Sequence, residues 1–297
     1  MGLPEHAAGR VLAVDADGGG MGQVYPAHSG SVRSAATAND RDDILAVTNL
    51  SHVYGSLRAY EAIDFAVRER EFLCIIGPSG CGKSSLLMSI AGHNRPTGGE
   101  IMFAGAPVLG PSVERGVVFQ EYALFLWMNV FDNVGFGLRM LRTADRDEYR
   151  REVEAHLALV GLTEFADYWP HQLSGGMRQR VAIARALAVK PRVLLMDEPF
   201  GALDALTRRA LQQELVRIWQ LTKMTIIFVT HNLQEALFLG DRVLCMTRRP
   251  GRIKKEISIR LPRPRDVENP NEEMKQIIRE MQDALYSEVD PPRAAGA

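Results

Sequence analysis

The sequence has no long hydrophobic run and almost no net charge, and each absence excludes a class of protein. No apolar run approaches the roughly 18 residues that a transmembrane helix needs, and the N-terminus has no apolar signal-peptide core. Any role at a membrane is therefore expected to depend on partner proteins. A net charge of −1 over 297 residues gives no indication of a nucleic-acid-binding surface, which is usually strongly basic.

Cysteine is also scarce. Cys74, Cys81 and Cys245 are too few and too scattered for a disulfide framework or a zinc site. Each lies in or beside a strand-like or glycine-rich segment, so we expect buried, reduced thiols. The hydrophobic content of 46% and charged content of 24% are typical of a globular protein with ample core.

A glycine-rich stretch lies between an apolar run and a helical pattern. Residues 77–85 read Gly-Pro-Ser-Gly-Cys-Gly-Lys-Ser-Ser and fit the phosphate-loop pattern G-x-x-x-x-G-K-[ST]. The preceding run, residues 72–76, has the length of a buried strand, and the apolar residues that follow recur at helical spacing. In this context glycines let successive backbone N–H groups point at anionic oxygens, and the helix start adds a positive dipole end.

This loop predicts a nucleotide site. Lys83 is expected to reach the β- and γ-phosphates, and Ser84 to offer its hydroxyl to Mg²⁺. The alternative, a glycine turn between two core elements, is disfavoured by the Lys-Ser pair and by the flanking elements. The predicted nucleotide-binding residues of the loop are Gly77, Pro78, Ser79, Gly80, Cys81, Gly82, Lys83, Ser84 and Ser85.

The chain divides into three regions. Residues 1–43 are rich in Gly, Ala, Ser and Asp and predict a disordered leader. Strand-like and helical segments alternate over residues 44–262, which predicts a parallel sheet covered on both faces, with a helical insertion at about 122–178. Residues 263–297 predict a proline-containing linker followed by an amphipathic helix.

A second apolar strand, residues 193–196, ends in two carboxylates. Ligands of parallel sheets bind beyond the carboxyl ends of the strands, where the phosphate loop also lies. Asp197 is therefore predicted to hold Mg²⁺, and Glu198 to orient or deprotonate the attacking water. The alternative is a solvated acidic turn.

Residues 173–176, Leu-Ser-Gly-Gly, resemble the signature motif of ATP-binding-cassette (ABC) ATPases. The resemblance continues in the family's order with Gln120, with Gly-Ala-Leu-Asp at residues 201–204, and with the switch histidine His231 after Thr230. A Ser-Gly-Gly triplet or a single histidine is a weak signal alone, but six motifs stand in order between about residues 44 and 260. Arg-Pro-Gly-Arg-Ile at 249–253 and Leu-Pro-Arg-Pro-Arg at 261–265 further resemble importer ATPases of the nitrate/sulfonate/taurine group.

The resemblance implies an α/β P-loop NTPase fold of the ABC type, with a RecA-like parallel-sheet core, a small antiparallel β subdomain and a helical insertion. Two copies would stack head to tail around two ATP molecules, each γ-phosphate meeting the signature motif of the other copy. The implied catalytic residues are Lys83, Gln120, Glu198 and His231. The implied metal ligands are Ser84, Gln120 and Asp197, and the further nucleotide-binding residues are Tyr54, on which adenine would stack, Ser174, Gly175, Gly176 and Asp204.

The function implied is an ATPase that uses ATP and Mg²⁺ to power an importer for a small solute of the nitrate, sulfonate or taurine type. Its partners would be a second copy, two transmembrane permease subunits and an extracytoplasmic solute-binding protein, with no nucleic acid. The protein would lie peripherally on the cytoplasmic face of the inner membrane.

Two alternatives belong to other functional classes. A soluble ABC ATPase of DNA repair or translation usually carries paired cassettes or a long coiled coil, and neither is visible in the sequence. A phosphate-loop kinase would have no use for residues 173–176.

Overall fold

The computed structural model describes residues 43–141 and 145–286, and in these its strands form two sheets. The leader predicted for residues 1–43 lies outside the described residues except for Asp43, which begins the first strand. Residues 287–297 of the predicted C-terminal region also lie outside them.

The smaller sheet is antiparallel, with the strand order β2-β1-β4-β5. Strands β1 (Asp43–Tyr54) and β2 (Leu57–Arg68) form a hairpin, and its turn passes through Gly55 at a φ of 58°, a value that favours glycine. Strands β4 (Gly98–Phe103) and β5 (Ala106–Pro107) extend the sheet from the other side of β1. This sheet agrees with the antiparallel subdomain that the resemblance implied.

The larger sheet has six strands in the order β10-β9-β3-β8-β7-β6, parallel except for β10. The edge strand β10 was not predicted, because among its six residues Ile257 alone is fully buried and no clear alternation results. The strands are β3 (Phe72–Ile76), β6 (Arg115–Val118), β7 (Val193–Asp197), β8 (Thr225–Thr230), β9 (Arg242–Met246) and β10 (Ile253–Ser258).

Two hydrophobic cores lie on opposite faces of the larger sheet. In β3, Phe72 and Cys74 face one core while Leu73 and Ile75 face the other, because successive side chains of a strand point to opposite faces. The core that contains Phe72 packs against most of the helices, and the core that contains Leu73 packs against the smaller sheet. Burial on both faces explains why the central strands are continuously apolar.

The helices cover the sheet and form the insertion. Helices α2 and α3 lie within the predicted insertion, and α4 begins near its end. The helices are α1 (Lys83–Ala91), α2 (Val130–Leu141), α3 (Arg146–Leu159), α4 (Gly175–Ala188), α5 (Ala205–Thr222), α6 (Leu233–Leu239) and α7 (Glu272–Tyr286).

Two arginines hold the segment before α7 to the body of the protein, Arg263 through an ion pair with Asp241 and Arg265 through backbone carbonyls. The guanidinium of Arg265, only 3% exposed, donates to the carbonyl oxygens of Gly240 at 2.6 Å and of Leu237 at 2.7 Å. Burial of this charge lowers the pKa of Arg265 to about 10. Helix α7 then buries its apolar face, including Ile277 and Met281, so the end of the described chain packs on the body of the protein.

Candidate functional site

The phosphate loop connects β3 to α1, and its backbone requires glycine at several positions. Gly80 has a φ of 73° and Gly82 a φ of 102°, which side chains rarely adopt. A Cβ on Gly82 would lie 2.7 Å from the carbonyl oxygen of Ala59, and one on Gly77 would lie 2.8 Å from the sulfur of Cys81. The loop is therefore tightly curled, with no space for side chains at these glycines.

The cysteines are all buried and free. Burial raises the pKa of the Cys74, Cys81 and Cys245 thiols above the ordinary value, in the case of Cys245 to about 12. These thiols therefore stay protonated near neutral pH and fill space in the core.

Lys83 lies folded over the loop that precedes it. Its Nζ donates to the carbonyl oxygens of Gly77 at 3.0 Å and of Pro78 at 3.1 Å, and it lies 3.7 Å from Oε1 of Glu198. The side chain is 4% exposed, so the ammonium is held in place by carbonyls and one carboxylate. Phosphate oxygens entering the loop would be stronger acceptors for the same ammonium group.

Two side chains with oxygen atoms suited to binding a metal ion, Ser84 and Asp197, lie in contact beside the loop. Ser84 Oγ donates to Oδ1 of Asp197 at 2.9 Å, and burial raises the pKa of the Asp197 carboxyl. Within the described residues no three His, Cys, Asp or Glu side chains form a metal cluster. A hydroxyl and a carboxylate nevertheless fit Mg²⁺, which takes oxygen ligands and usually keeps waters and substrate phosphates in its remaining positions.

Glu198 pairs with the predicted switch histidine. Nδ1 of His231 lies 2.8 Å from Oε2 of Glu198, and the backbone N–H of Glu198 donates to the carbonyl oxygen of Val229 at 3.0 Å. Glu198 has a φ of 42°, in the left-handed region that non-glycine residues rarely occupy. Such backbone strain is often found at functional sites.

Lys83, Ser84 and Glu198 open onto one cavity of about 290 Å³, whereas Asp197 and His231 are not among its lining residues. Its lining includes most of the phosphate loop together with Glu198, Tyr54 and Arg249. Tyr54 is 44% exposed and its hydroxyl accepts from Asn94 Nδ2 at 2.7 Å. Because it lines the same cavity, the predicted adenine-stacking residue lies beside the loop. Arg249 was missed as a site residue, because the sequence indicated only that it belongs to a motif and not where that motif folds.

Gln120 follows β6 and lies near the residues after Glu198. Its Nε2 is 3.6 Å from the position that a Cβ on Gly201 would occupy. Its side chain makes no hydrogen bond to any residue that the structure describes. Its predicted contacts with the metal ion and with water stay a prediction.

The signature residues lie at the tip of α4. The Oγ of Ser174 caps the helix by accepting from the N–H of Met177 at 3.3 Å. A Cβ on Gly176 would lie 2.6 Å from Cγ2 of Thr207, so α4 and α5 are in close contact there. Neither Ser174 nor the two glycines that follow it are among the residues that line the 290 Å³ cavity of the same chain.

Asp204 has a similar position at the start of α5. Its carboxylate accepts from the N–H of Thr207 at 3.0 Å, and this hydrogen bonding lowers the pKa of Asp204. In the single chain Asp204 therefore caps a helix and, like Ser174, does not line the nucleotide cavity.

A buried carboxyl behind His231 was not predicted. Glu235 is 7% exposed, accepts from Gln212 Nε2 at 3.1 Å and from the hydroxyl of Thr230, and lies 3.9 Å from Arg208 Nε. Burial raises the pKa of Glu235. A single acid in a short helical pattern usually indicates an exposed residue, so the sequence offered no signal for it.

Glu235 connects the switch histidine to the loop before α5. Thr230 directly precedes His231, while Arg208 donates to the carbonyl oxygens of Leu203 at 2.7 Å and of Phe200 at 3.3 Å. A small cavity of about 30 Å³ touches Glu198, His231 and Glu235, which is room for one water molecule.

Comparison with known proteins places these features in context. The family model described as ABC transporter matches residues 60–201. An uncharacterised ABC transporter ATP-binding protein of Methanocaldococcus jannaschii is 50% identical over 226 residues, spanning 75% of this chain and 84% of that protein. A nitrate import ATP-binding protein of Synechocystis is 44% identical, spanning 82% of this chain and 92% of that protein. A bicarbonate transport ATP-binding protein of Synechococcus elongatus is 46% identical, spanning 76% and 84%.

Solved structures show the same fold. A cassette from Clostridium perfringens, described as part of an ABC transporter complex, matches with a TM-score of 0.67 and 30% identity over 73% of this chain and 89% of its own. A dimeric ATP-binding cassette in a post-hydrolysis state with ADP and Pi matches with a TM-score of 0.65 and 31% identity over 73% of this chain and 100% of its own. The predicted fold class is confirmed.

Proposed function

This chain belongs to the ABC transporter family of ATP-binding proteins, and on that premise we propose that it powers an importer for a small oxyanion. Its activity is ATP hydrolysis coupled to transport. The catalytic assignment depends on the position of the Glu198 carboxylate beside the phosphate loop. Its Oε2 lies 2.8 Å from Nδ1 of His231, and its Oε1 lies 3.7 Å from Nζ of Lys83. Relatives named for nitrate import and bicarbonate transport support a small oxyanion as the solute, and we propose this class within the wider nitrate, sulfonate and taurine range.

Binding of the triphosphate depends first on the loop and Lys83. The N–H groups of the curled backbone and the N-terminus of α1 provide donors for the phosphate oxygens. Lys83 exchanges the carbonyl oxygens of Gly77 and Pro78 for the β- and γ-phosphates. Tyr54 offers its ring to the base, a role supported by its position on the same cavity.

Mg²⁺ would be held by Ser84 and Asp197, with Gln120 as a further ligand from the end of β6, and would neutralise charge developing on the phosphates. The Ser84–Asp197 hydrogen bond of 2.9 Å keeps the hydroxyl and carboxylate oxygens adjacent before the ion arrives. The raised pKa of Asp197 reflects its burial, so a cation beside it would favour the ionised carboxylate.

Hydrolysis then requires a base and a group that holds the terminal phosphate. Glu198 orients the attacking water and accepts its proton. His231, within hydrogen-bond distance of Glu198, fixes that carboxylate and reaches the γ-phosphate. The two residues proposed for hydrolysis, Glu198 and His231, directly follow the C-terminal ends of β7 and β8.

A second copy would complete the site. Ser174 is exposed at the tip of α4 and Gly175 is partly exposed, while Gly176 is buried against α5. None of the three lines the cavity of its own chain, so the hydroxyl of Ser174 and the N–H groups at this helix N-terminus would bind the γ-phosphate held by another chain. Asp204 would act at the same interface. The dimeric cassette among the solved structures supports this arrangement.

The proposal also covers the remaining partners. The described residues include no helix long and apolar enough to cross a membrane, so two permease subunits would provide the pathway and an extracytoplasmic protein would deliver the solute. Leu126 and Trp127, 69% and 70% exposed, would offer the permease an apolar surface at the start of the proposed helical subdomain. The chain would then lie at the cytoplasmic face of the membrane.

The proposed domain organisation follows the sequence. Residues 44–262 would form the ATPase domain, which contains the helical subdomain at 122–178. Residues 1–43 and 263–297 would be extensions of this domain.

Replacing Glu198 with glutamine tests the catalytic assignment. We expect Glu198→Gln to bind ATP, to lower kcat by about a hundredfold or more because the base is lost, and to elute as a dimer in ATP. Glu164→Gln, at an exposed acid away from the cavity, is the matched control and should keep wild-type turnover. Wild-type hydrolysis by Glu198→Gln would refute the role of Glu198, and a strictly monomeric ATP-bound form would refute the shared site.

A further inference from the structure

The loop between β9 and β10 packs directly against the phosphate loop. The N–H of Gly251 donates to the carbonyl oxygen of Ala59 at 3.0 Å, and a Cβ on Gly251 would lie 2.2 Å from the carbonyl oxygen of Cys81. The hydroxyl of Thr247 accepts from the N–H of Arg252 at 3.0 Å, which closes the loop on itself. Residues 247–252 are therefore a fixed support for the phosphate loop.

Two neighbouring arginines of this loop have different surroundings. Arg249 Nε donates to the carbonyl oxygen of Gly80 at 3.0 Å, and Arg249 lines the 290 Å³ cavity. Arg248 does not line that cavity; it borders a second, open cavity beside Pro78 and Ser79, which Arg249 borders as well. Over residues 43–141 and 145–286, neither guanidinium has a carboxylate partner.

The charge of the cavity depends on Arg249. Among the residues that line it, Lys83 and Glu198 carry opposite charges and lie 3.7 Å apart, so they offset each other. Arg249 supplies the remaining positive charge. Because its Nε is held by Gly80, its two terminal nitrogens are oriented by a fixed anchor and stay available to a ligand.

We propose that Arg249 is a nucleotide-binding residue whose guanidinium, held beside Gly80, contacts the phosphate chain. The role rests on the proposed function, since it deepens the same site. Guanidinium groups donate strong, charge-assisted hydrogen bonds to phosphate, and a donor already positioned by the protein loses less freedom on binding. The Gly80 carbonyl therefore orients the residue, and the phosphates are its ligand.

Binding measurements on the full-length chain test the proposal. Titration calorimetry would compare ATP, inorganic tripolyphosphate and adenosine with wild type, Arg249→Ala, Arg249→Lys and the matched control Arg248→Ala. We expect Arg249→Ala to weaken ATP and tripolyphosphate binding about tenfold or more, with adenosine binding unchanged. Arg248→Ala should stay close to wild type, and Arg249→Lys should fall between.

Salt dependence separates a phosphate contact from support of the loop. A lost charge contact makes the ATP affinity of Arg249→Ala less sensitive to salt than that of wild type. The proposal is wrong if Arg249→Ala binds ATP as tightly as wild type, if Arg248→Ala is equally impaired, or if affinity falls with salt dependence unchanged. Failure of the proposed function itself would look different, since wild type and Lys83→Ala would then bind ATP equally poorly.

Discussion

Ionisation of the buried Glu235 should lower the free energy of unfolding as pH rises, and replacing Glu235 with glutamine should remove this pH dependence. Burial raises the pKa of Glu235 in the folded protein above the ordinary glutamate value of 4.5. A carboxyl with a raised folded pKa favours folding when protonated, so its contribution is complete below pH 4.5 and is lost as pH rises through the folded pKa. Glutamine has the same shape and is neutral at every pH, so it does not lose this contribution.

The size of the effect follows from the partners of Glu235. In Glu235→Gln the amide oxygen still accepts from Gln212, and its NH₂ faces the hydroxyl of Thr230. We expect a free energy of unfolding within about 1 kcal/mol of wild type at neutral pH. Glu235→Ala leaves the Gln212 amide and the Thr230 hydroxyl buried and unpartnered, at about 1–3 kcal/mol each, so we expect a loss of about 2–5 kcal/mol.

Urea unfolding between about pH 5 and about pH 8 measures both effects. The free energy of unfolding of Glu235→Gln should rise relative to wild type as pH increases, and Glu235→Ala should be the least stable at each pH. The reasoning would be refuted if Glu235→Gln became less stable than wild type as pH rises. That result would mean that Arg208, 3.9 Å away, stabilises the anion by more than burial destabilises it.

Two further predictions concern the shared site and the C-terminal segment. Mixing Ser174→Arg with Lys83→Ala should restore ATPase activity above that of either variant alone, because one site of the mixed dimer is intact; equal inactivity of the mixture would remove support for the shared site. Arg265→Met should lower the free energy of unfolding by about 2–4 kcal/mol in urea, because its carbonyl acceptors lose their donors. Arg260→Met, at an exposed position, is the control, and an equal effect of both changes would contradict the anchoring role of Arg265.

The sequence predicted the features that depend on local backbone chemistry. The phosphate loop follows from glycines at positions of positive φ, and Asp197 and Glu198 follow from an apolar strand that ends in acids. Their proximity also follows, because the carboxyl ends of β3 and β7 lie at one edge of a parallel sheet.

Features made by contacts between distant segments were not predictable. Arg249 reaches Gly80 across 169 residues, and Glu235 is buried only because Gln212 and Thr230 fold around it. Strand β10 is recognisable only once β9 lies beside it. In each case the residue types are ordinary, and their significance arises from the tertiary neighbours.

Thr207 lies between Asp204 and Gly176 and so connects the start of α5 to the start of α4. Its N–H holds the carboxylate of Asp204, while its methyl group lies against Gly176. The helix end proposed to bind a neighbour's nucleotide is thus packed against the turn proposed to face the same neighbour. Because packed elements of a protein interior move together, we expect the two contacts with a second chain to form and break together.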